Sequence, residues 1–243
     1  MSEVQKADGV VIIPTYNEKE NISAMIDKVF SLPEPFEMLV IDDGSPDGTA
    51  AIVRERQKEF PATLHLLERS GKQGLGTAYL TGFRWGLERG FDAFLEMDAD
   101  FSHKPEYLPE MFAKIAEYDV VIGSRNVSGG GVENWSLLRK LISRGGSLYA
   151  RTLLRCPIAD LTGGFNMWRK SALEAIDLDS IISRGYSFQV EMKYRAYRHG
   201  CRIVEFPILF PDRKAGTSKM SGAIFREALR NIWRLRALKF PEH

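Results

Sequence analysis

The sequence predicts an α/β fold: a mostly parallel sheet with helices on both faces, followed by C-terminal amphipathic helices. Three observations lead there. Strand-like apolar runs alternate with stretches whose apolar residues recur at helical spacing. The first run, "GVVIIP", is apolar at successive positions, as in a strand covered on both faces. The chain has 243 residues, 44% of them hydrophobic, enough to bury the core of one large α/β domain.

Each element has its own signal. "GVVIIPTY" is a buried strand stopped by Pro14. In "NEKENISAMIDKVF" Ile22, Met25, Ile26 and Val29 share a helical face, with Asn17 as N-cap and Glu20 three residues later. "FEMLVIDDGS" is the second strand, "DGTAAIVRERQKEF" the second helix and "ATLHLLER" the third strand. "GLGTAYLTGFRWGLERG" is a helix, "FDAFLEMDAD" a strand, "KPEYLPEMFAKIAEY" a helix and "DVVIGSR" a strand. The pattern then loosens. "NVSGGGVENWS" reads as a glycine-rich loop, and "LLRKLISRGGSLYARTLLR" as a helix broken at Gly145–Gly146. "IADLTGGFNMWRKSALEAI" reads as a turn and then a helix, "SFQVEMKYRAYRHG" as a helix and "RIVEFPILFPDR" as a strand entering a loop. A long basic helix ends the chain.

Composition excludes several classes. The longest apolar stretches contain only a handful of residues, whereas a membrane-spanning helix needs about 20. "MSEVQKADG" lacks the apolar stretch of a signal peptide. Cys156 and Cys201 follow no metal or disulfide spacing and read as buried thiols suited to a reducing cytosol. The net charge of +1 hides an asymmetry. Residues 135–155 carry five Lys/Arg and no acid, and residues 213–239 carry eight against Glu227 alone. An anionic partner, a phosphate or a lipid surface, is expected rather than nucleic acid.

Ligands of such sheets bind beyond the carboxyl ends of the strands. Those ends are Pro14–Glu18, Asp42–Ser45, Asp98–Asp100 and Gly123–Arg125. Asp98 and Asp100 end a strand in acid. Their hard oxygens suit Mg2+ or Mn2+, which could neutralise a diphosphate as it leaves. Asp42 and Asp43 stand where an acid accepts from a ribose or a base. A dinucleotide oxidoreductase would need a glycine-rich turn after the first strand, and "PTYNE" cannot supply it. "GKQGLG" is neither a dinucleotide fingerprint nor a Walker loop and reads as a flexible turn.

"VVIIPTYNEKENI", "VIDDGSPDGT", "GKQGLGTAYLTGF", "MDADFSHKPEYLP", "VIGSR", "DLTGGFNMWRK" and "FPDRKAGTSKM" occur in this order. Together they resemble the family 2 glycosyltransferases of GT-A fold, and among them the dolichol-phosphate (polyprenol-phosphate) mannosyltransferases. The likeness covers about residues 10–225. It implies GDP-mannose as donor, a polyprenyl (dolichyl-type) monophosphate as acceptor and inversion at the sugar. Pro14, Tyr16, Glu18, Ile41, Asp43, Asp98 and Ala99 would contact the nucleotide sugar, together with Asp100, Arg125, Arg213 and Lys219. Asp100 would be the main ligand of Mg2+ or Mn2+, with Asp98. Ser102, where many relatives carry glutamine, would be the third, with water or His103 as alternatives. Asp100, Arg125 and Arg213 would be catalytic. Arg139 and Ser143, one helical turn apart, would hold the acceptor phosphate with Arg213. The expected layout is a single domain, 1–243: a nucleotide-binding half (8–125), an acceptor-binding half (126–220) and a basic amphipathic helix (221–243).

A phosphate monoester is largely dianionic at neutral pH, so the acceptor needs no catalytic base. Asp160, in "DLTGGF", is the alternative base or mannose ligand. In the last helix Ile224, Ala228, Ile232, Leu235 and Leu238 share an apolar side, opposite Arg226, Arg230 and Arg234. That helix, with residues 135–142, is expected near a membrane surface beside the acceptor phosphate, so that the protein is cytoplasmic and peripheral, with or without a membrane subunit as partner. The rivals are a polyprenyl-phosphate glucosyltransferase using UDP-glucose, a metal-dependent nucleotidyltransferase and an inert membrane-binding subunit.

Overall fold

A computed structural model describes residues 9–183, 185, 187–211, 230–238 and 240. The first four strands are β1 (Gly9–Thr15), β2 (Phe36–Asp42), β3 (Leu64–Glu68) and β4 (Ala93–Glu96). They pair in parallel, with β1 between β2 and β4 and β3 outside β2. Between and after them run α1 (Ile22–Phe30), α2 (Thr49–Arg56), α3 (Leu75–Arg89) and α4 (Leu108–Ile115), followed by β5 (Val120–Ser124). Each agrees in type with its sequence signal.

The alternation along β1 builds two cores. Val10 and Ile12 pack with α3, while Val11 and Ile13 pack with α1 and α4 on the opposite face. Gly82 of α3 sits so close to β1 that an added Cβ would lie 2.6 Å from Ile12 Cγ2. The helix therefore rests directly on the sheet.

After β5 come β6 (Gly131–Val132), α5 (Leu137–Leu154), β7 (Asn166–Arg169), α6 (Lys170–Ile176), α7 (Ser187–Arg198), β8 (Ile203–Pro207) and β9 (Leu209–Phe210). The main sheet has seven strands in the order β3-β2-β1-β4-β7-β5-β8, and β6 pairs with β9. Four sequence expectations are corrected here. The "turn then helix" contains β7, which lies antiparallel between β4 and β5. The glycine-rich loop contains β6. The helix expected to break at Gly145–Gly146 is continuous, because buried Ser147, Ala150 and Leu154 hold its second half on the core. Asn17 is not an N-cap: it has φ 61°, and α1 starts at Ile22.

Residues 230–236 are helical. Ile232 and Leu235 are buried in the core beside α7, and Asn231 Nδ2 donates to Ser187 Oγ at 2.9 Å. This apolar side thus packs on the protein's own core, while Trp233 is 60% exposed. Residues 221–229 of that expected helix lie outside the described residues.

Candidate active site

The carboxyl ends of β1, β2 and β4 form one rim, because all three are parallel and adjacent. The "PTYNE" loop is stapled to the loop after β2. Asn17 N donates to Ser45 Oγ at 3.0 Å, Glu18 N to Thr49 Oγ1 at 3.0 Å and Lys19 N to Asp47 Oδ2 at 3.1 Å. Asp42 is consumed by this turn: it accepts from Thr15 Oγ1, Ser45 N and Ser45 Oγ. Asp47 accepts from Thr49 N and Oγ1. Slight burial would raise its carboxyl, but these donors hold it below the usual range. Gly44 and Gly48 take φ of 69° and 92° in this loop, a region most side chains avoid.

Asp43 stays at the rim, one oxygen held by Arg69 Nε at 2.6 Å. Arg69 also donates to Thr77 Oγ1 at 2.9 Å, tying β3 to the start of α3. Lys72 lies over the Tyr16 ring, 4.8 Å from its centroid. Pro14, Tyr16 and Glu18 are half-buried on this rim. The Ile41 and Ala99 side chains are buried in the two cores, so contact with a nucleotide at these positions would run through backbone.

Asp98 and Asp100 follow β4 and are half-buried. Ser102 N donates to Asp100 Oδ1 at 3.0 Å, and Asp98 N donates to His103 Nδ1 at 3.0 Å. That ring, stacked on Phe165 at 4.8 Å, spends its Nδ1 lone pair on the Asp98 backbone. Beneath lies Tyr79. Burial, reinforced by Asp98, Glu96 and Asp100, pushes its hydroxyl well above the ordinary value.

The acids fit a divalent cation. Both are hard oxygen donors, and the Ser102 hydroxyl is buried with no hydrogen-bond partner. Among the described residues no three His, Cys, Asp or Glu side chains gather around one point. The remaining coordination would come from phosphate oxygens and water, as Mg2+ and Mn2+ commonly take it.

Past β5 the site turns cationic. Arg125 donates to Asp160 through its backbone N at 3.0 Å, Nε at 2.7 Å and Nη2 at 2.7 Å. The Asp160 side chain is wholly buried. Burial alone would raise its carboxyl, but the Arg125 guanidinium and then Lys193 hold it well below the usual carboxylate range. Wholly buried, with both oxygens taken by Arg125 and Gly163 N, Asp160 stands as the counter-charge of Arg125 rather than as the base or mannose ligand that the sequence offered as alternatives. Arg125 also faces the rings of Phe210 and Trp135 at 5.5 and 5.9 Å. A narrow crevice beside it is lined by Trp135, Lys140, Ser143 and Arg144. Of the two acceptor-phosphate candidates on α5, Ser143 lines this crevice, while the Arg139 guanidinium lies 3.8 Å from the Trp135 ring centre. Arg213 and Lys219 lie outside the described residues.

The model of "Glycosyl transferase family 2" matches residues 10–177. The chain belongs to glycosyltransferase family 2. This glycosyltransferase is 49% identical over 225 residues to the undecaprenyl-phosphate mannosyltransferase of Micrococcus luteus, covering 93% of this chain and 92% of that one. It is 45% identical over 230 residues to the polyprenol monophosphomannose synthase of Mycolicibacterium smegmatis, covering 93% and 87%. Two solved structures share its fold. One is the mannosyltransferase PcManGT of Pyrobaculum calidifontis in complex with GDP-Man and Mn2+, with a TM-score of 0.61, 17% identity and 98% and 67% of the two chains covered. The other is glucosyl-3-phosphoglycerate synthase of Mycobacterium tuberculosis in complex with Mn2+, UDP and phosphoglyceric acid, with a TM-score of 0.67, 16% identity and 96% and 79% covered.

Sequence reasoning missed Arg69, Lys140 and Arg144. The two on α5 were visible as the flanks of Arg139 and Ser143. Only the fold shows that it is Lys140 and Arg144 that line the Arg125 crevice. Arg69 left no local signal, because the pairing of β2 with β3 brings it to Asp43.

Proposed function

We propose that this glycosyltransferase transfers mannose from GDP-mannose to the phosphate of a polyprenyl (dolichyl-type) monophosphate, with residues 8–125 holding the donor and 126–220 the acceptor. The observation that carries this reading is the crevice of Arg125, Lys140, Ser143 and Arg144, set beside exposed leucines on one helix. It sets the cationic and hydroxyl groups that would grip a phosphate next to an apolar surface that would take an attached chain. The identity to two curated polyprenol-phosphate mannosyltransferases supports it.

The chemistry follows from the acceptor. Its phosphate oxygen attacks the anomeric carbon opposite GDP. One C–O bond forms, the bond to the GDP oxygen breaks and the configuration inverts. The dianion carries no proton at the attacking oxygen, so no base is required. The protein's task is alignment and charge stabilisation. Asp43 and the "PTYNE" backbone would orient the nucleoside. Ser143, Lys140 and Arg144 would hold the acceptor phosphate over Arg125, whose charge Asp160 fixes in place, and Arg139 and Arg213 would add charge nearby. A divalent cation held by Asp98, Asp100 and Ser102, when bound, would stabilise the charge that develops on the departing diphosphate.

The enzyme would meet its acceptor at a membrane. Among the described residues no helix is long and apolar enough to cross one. The outward face of α5 carries Leu137, Leu141 and Leu148, which are 80%, 70% and 63% exposed, with Arg144 and Arg151 on the same stripe. Apolar contact with cationic flanks suits an anionic bilayer, in keeping with a peripheral protein on a cytosolic face. The test is transfer of radiolabelled mannose from GDP-mannose to undecaprenyl phosphate in detergent, with and without Mn2+. Thermal stabilisation by GDP-mannose is compared with that by UDP-glucose. Label in a lipid phosphate product, with GDP-mannose the better stabiliser, is expected. Stabilisation by UDP-glucose alone would overturn the donor.

A further inference from the structure

The segment 159–163, in "ADLTGG", has little regular structure, yet it presents the carboxylate that orients Arg125. What holds it is a set of groups that the reaction itself does not use. Glu205 of β8 accepts from Ala159 N at 2.7 Å with one oxygen and from Asp160 N at 2.9 Å with the other. Lys193 of α7, fully buried, donates from Nζ to the carbonyls of Asp160 at 2.8 Å and Gly163 at 2.6 Å. Asp160 Oδ1 then accepts from Gly163 N at 3.0 Å. Thr162 Oγ1 takes Arg125 Nη2 at 3.1 Å and meets Ser147 of α5 at 3.0 Å. The same segment therefore touches both the arginine beside the crevice and the helix that lines it.

Burying a lysine is costly unless something demands it. Burial pushes this ammonium below the usual amine range, opposed by Asp160 and Glu96. A loop needing only stability could replace the charge with a packed apolar side chain at little loss. Two charged groups gripping four backbone atoms of one short loop fix position instead, in four directed bonds. Two of their targets, Asp160 N and Asp160 O, belong to the peptide groups on either side of Asp160; the other two, Ala159 N and Gly163 O, stand at the ends of the segment.

We infer that Lys193 and Glu205 are positioning residues of the transfer reaction: they clamp the backbone of 159–163 so that Asp160 holds the Arg125 guanidinium beside the acceptor-phosphate crevice. The inference rests on the proposed reading of that crevice. Neither residue touches donor or acceptor. Both act through Asp160, and the loss should fall on the acceptor and on turnover, not on the nucleotide.

The experiment uses the full chain with farnesyl phosphate as a short acceptor and GDP-mannose as donor. Variants are Glu205→Gln, which keeps the shape but turns an amide N–H toward a backbone N–H, and Lys193→Met. Glu205→Ala covers the case in which Lys193→Met does not fold. For each folded variant, kcat and the acceptor KM come from transfer assays, and the Kd of GDP from calorimetry. A misplacement of about 1 Å lowers rate on the order of 100-fold. Turnover per acceptor-saturated enzyme should fall by between about 10- and 100-fold, with the GDP Kd within about twofold of the parent. Folded Glu205 variants with parental kcat and acceptor KM would overturn the inference even if they melt earlier, and so would an equal loss in GDP affinity. If the parent enzyme itself neither binds nor mannosylates farnesyl phosphate or undecaprenyl phosphate, the reading of the crevice fails, and this inference fails with it.

Discussion

Replacing Asp160 by Asn keeps the side chain's shape and removes its charge. Four donors converge on the two carboxylate oxygens: Arg125 N, Nε and Nη2, and Gly163 N, at 2.7–3.0 Å. An asparagine has one acceptor oxygen, and its NH2 must face at least one of those donors. The Arg125 side chain is only 10% exposed, so its charge would stay buried without a counter-ion. Breaking such a pair from one side costs about 3–5 kcal/mol. For a chain of this size each kcal/mol lowers Tm by about 2–4 °C, so the melt should shift down by roughly 6–20 °C. The assay is thermal unfolding followed by circular dichroism at pH 7.5, on Asp160→Asn, Arg125→Met and the double variant. Removing both partners leaves no orphaned guanidinium, and the loss of Asp160 beside Lys193 is common to the single and the double variant, so the double variant should lose at least about 1 kcal/mol less than the sum of the singles. A single variant melting within about 2 °C of the parent, or strict additivity, would refute the buried-pair argument.

Three further outcomes are expected. Asp100→Ala should keep its fold, shown by an unchanged circular dichroism spectrum, yet lose turnover and metal-dependent GDP binding; normal activity under excess chelator would remove the metal from the account. Leu141→Glu with Leu148→Glu on α5 should weaken co-sedimentation with anionic liposomes while GDP-mannose still binds. Glu at 230 and 234 should change sedimentation less, because the apolar side of that helix packs inward at Ile232 and Leu235. Burial pushes both thiols, Cys156 and Cys201, up to about 11, so at pH 8 a thiol reagent should find neither quickly in the native protein and both after denaturation.

The alternation of strands and helices was legible in the amino-acid order as far as β5, and with it the rim where ligands bind. Those elements are local. Their apolar spacing is long enough to read, and in a parallel sheet the strand ends fall together. The same order also marked Asp98, Asp100, Asp43 and the "PTYNE" loop, because acids and a proline at strand ends are unusual enough to notice. The rest depends on contacts between elements distant in the chain. β7 is four residues long, and its Asn166 would argue against a buried strand. It is tolerated because Nδ2 donates to Glu96 Oε2 at 2.6 Å and Gln189 Oε1 at 2.8 Å, groups brought there by β4 and α7. The two glycines of α5 weaken a local helix signal that packing of the second half overrides. Asp160 reads as a free acid until Arg125, some 35 residues earlier, is found gripping it. The apolar stripe of the last helix was legible, but which surface it meets was not. A stripe specifies that burial will occur, and only the neighbouring core at Tyr194, Ile232 and Leu235 specifies against what.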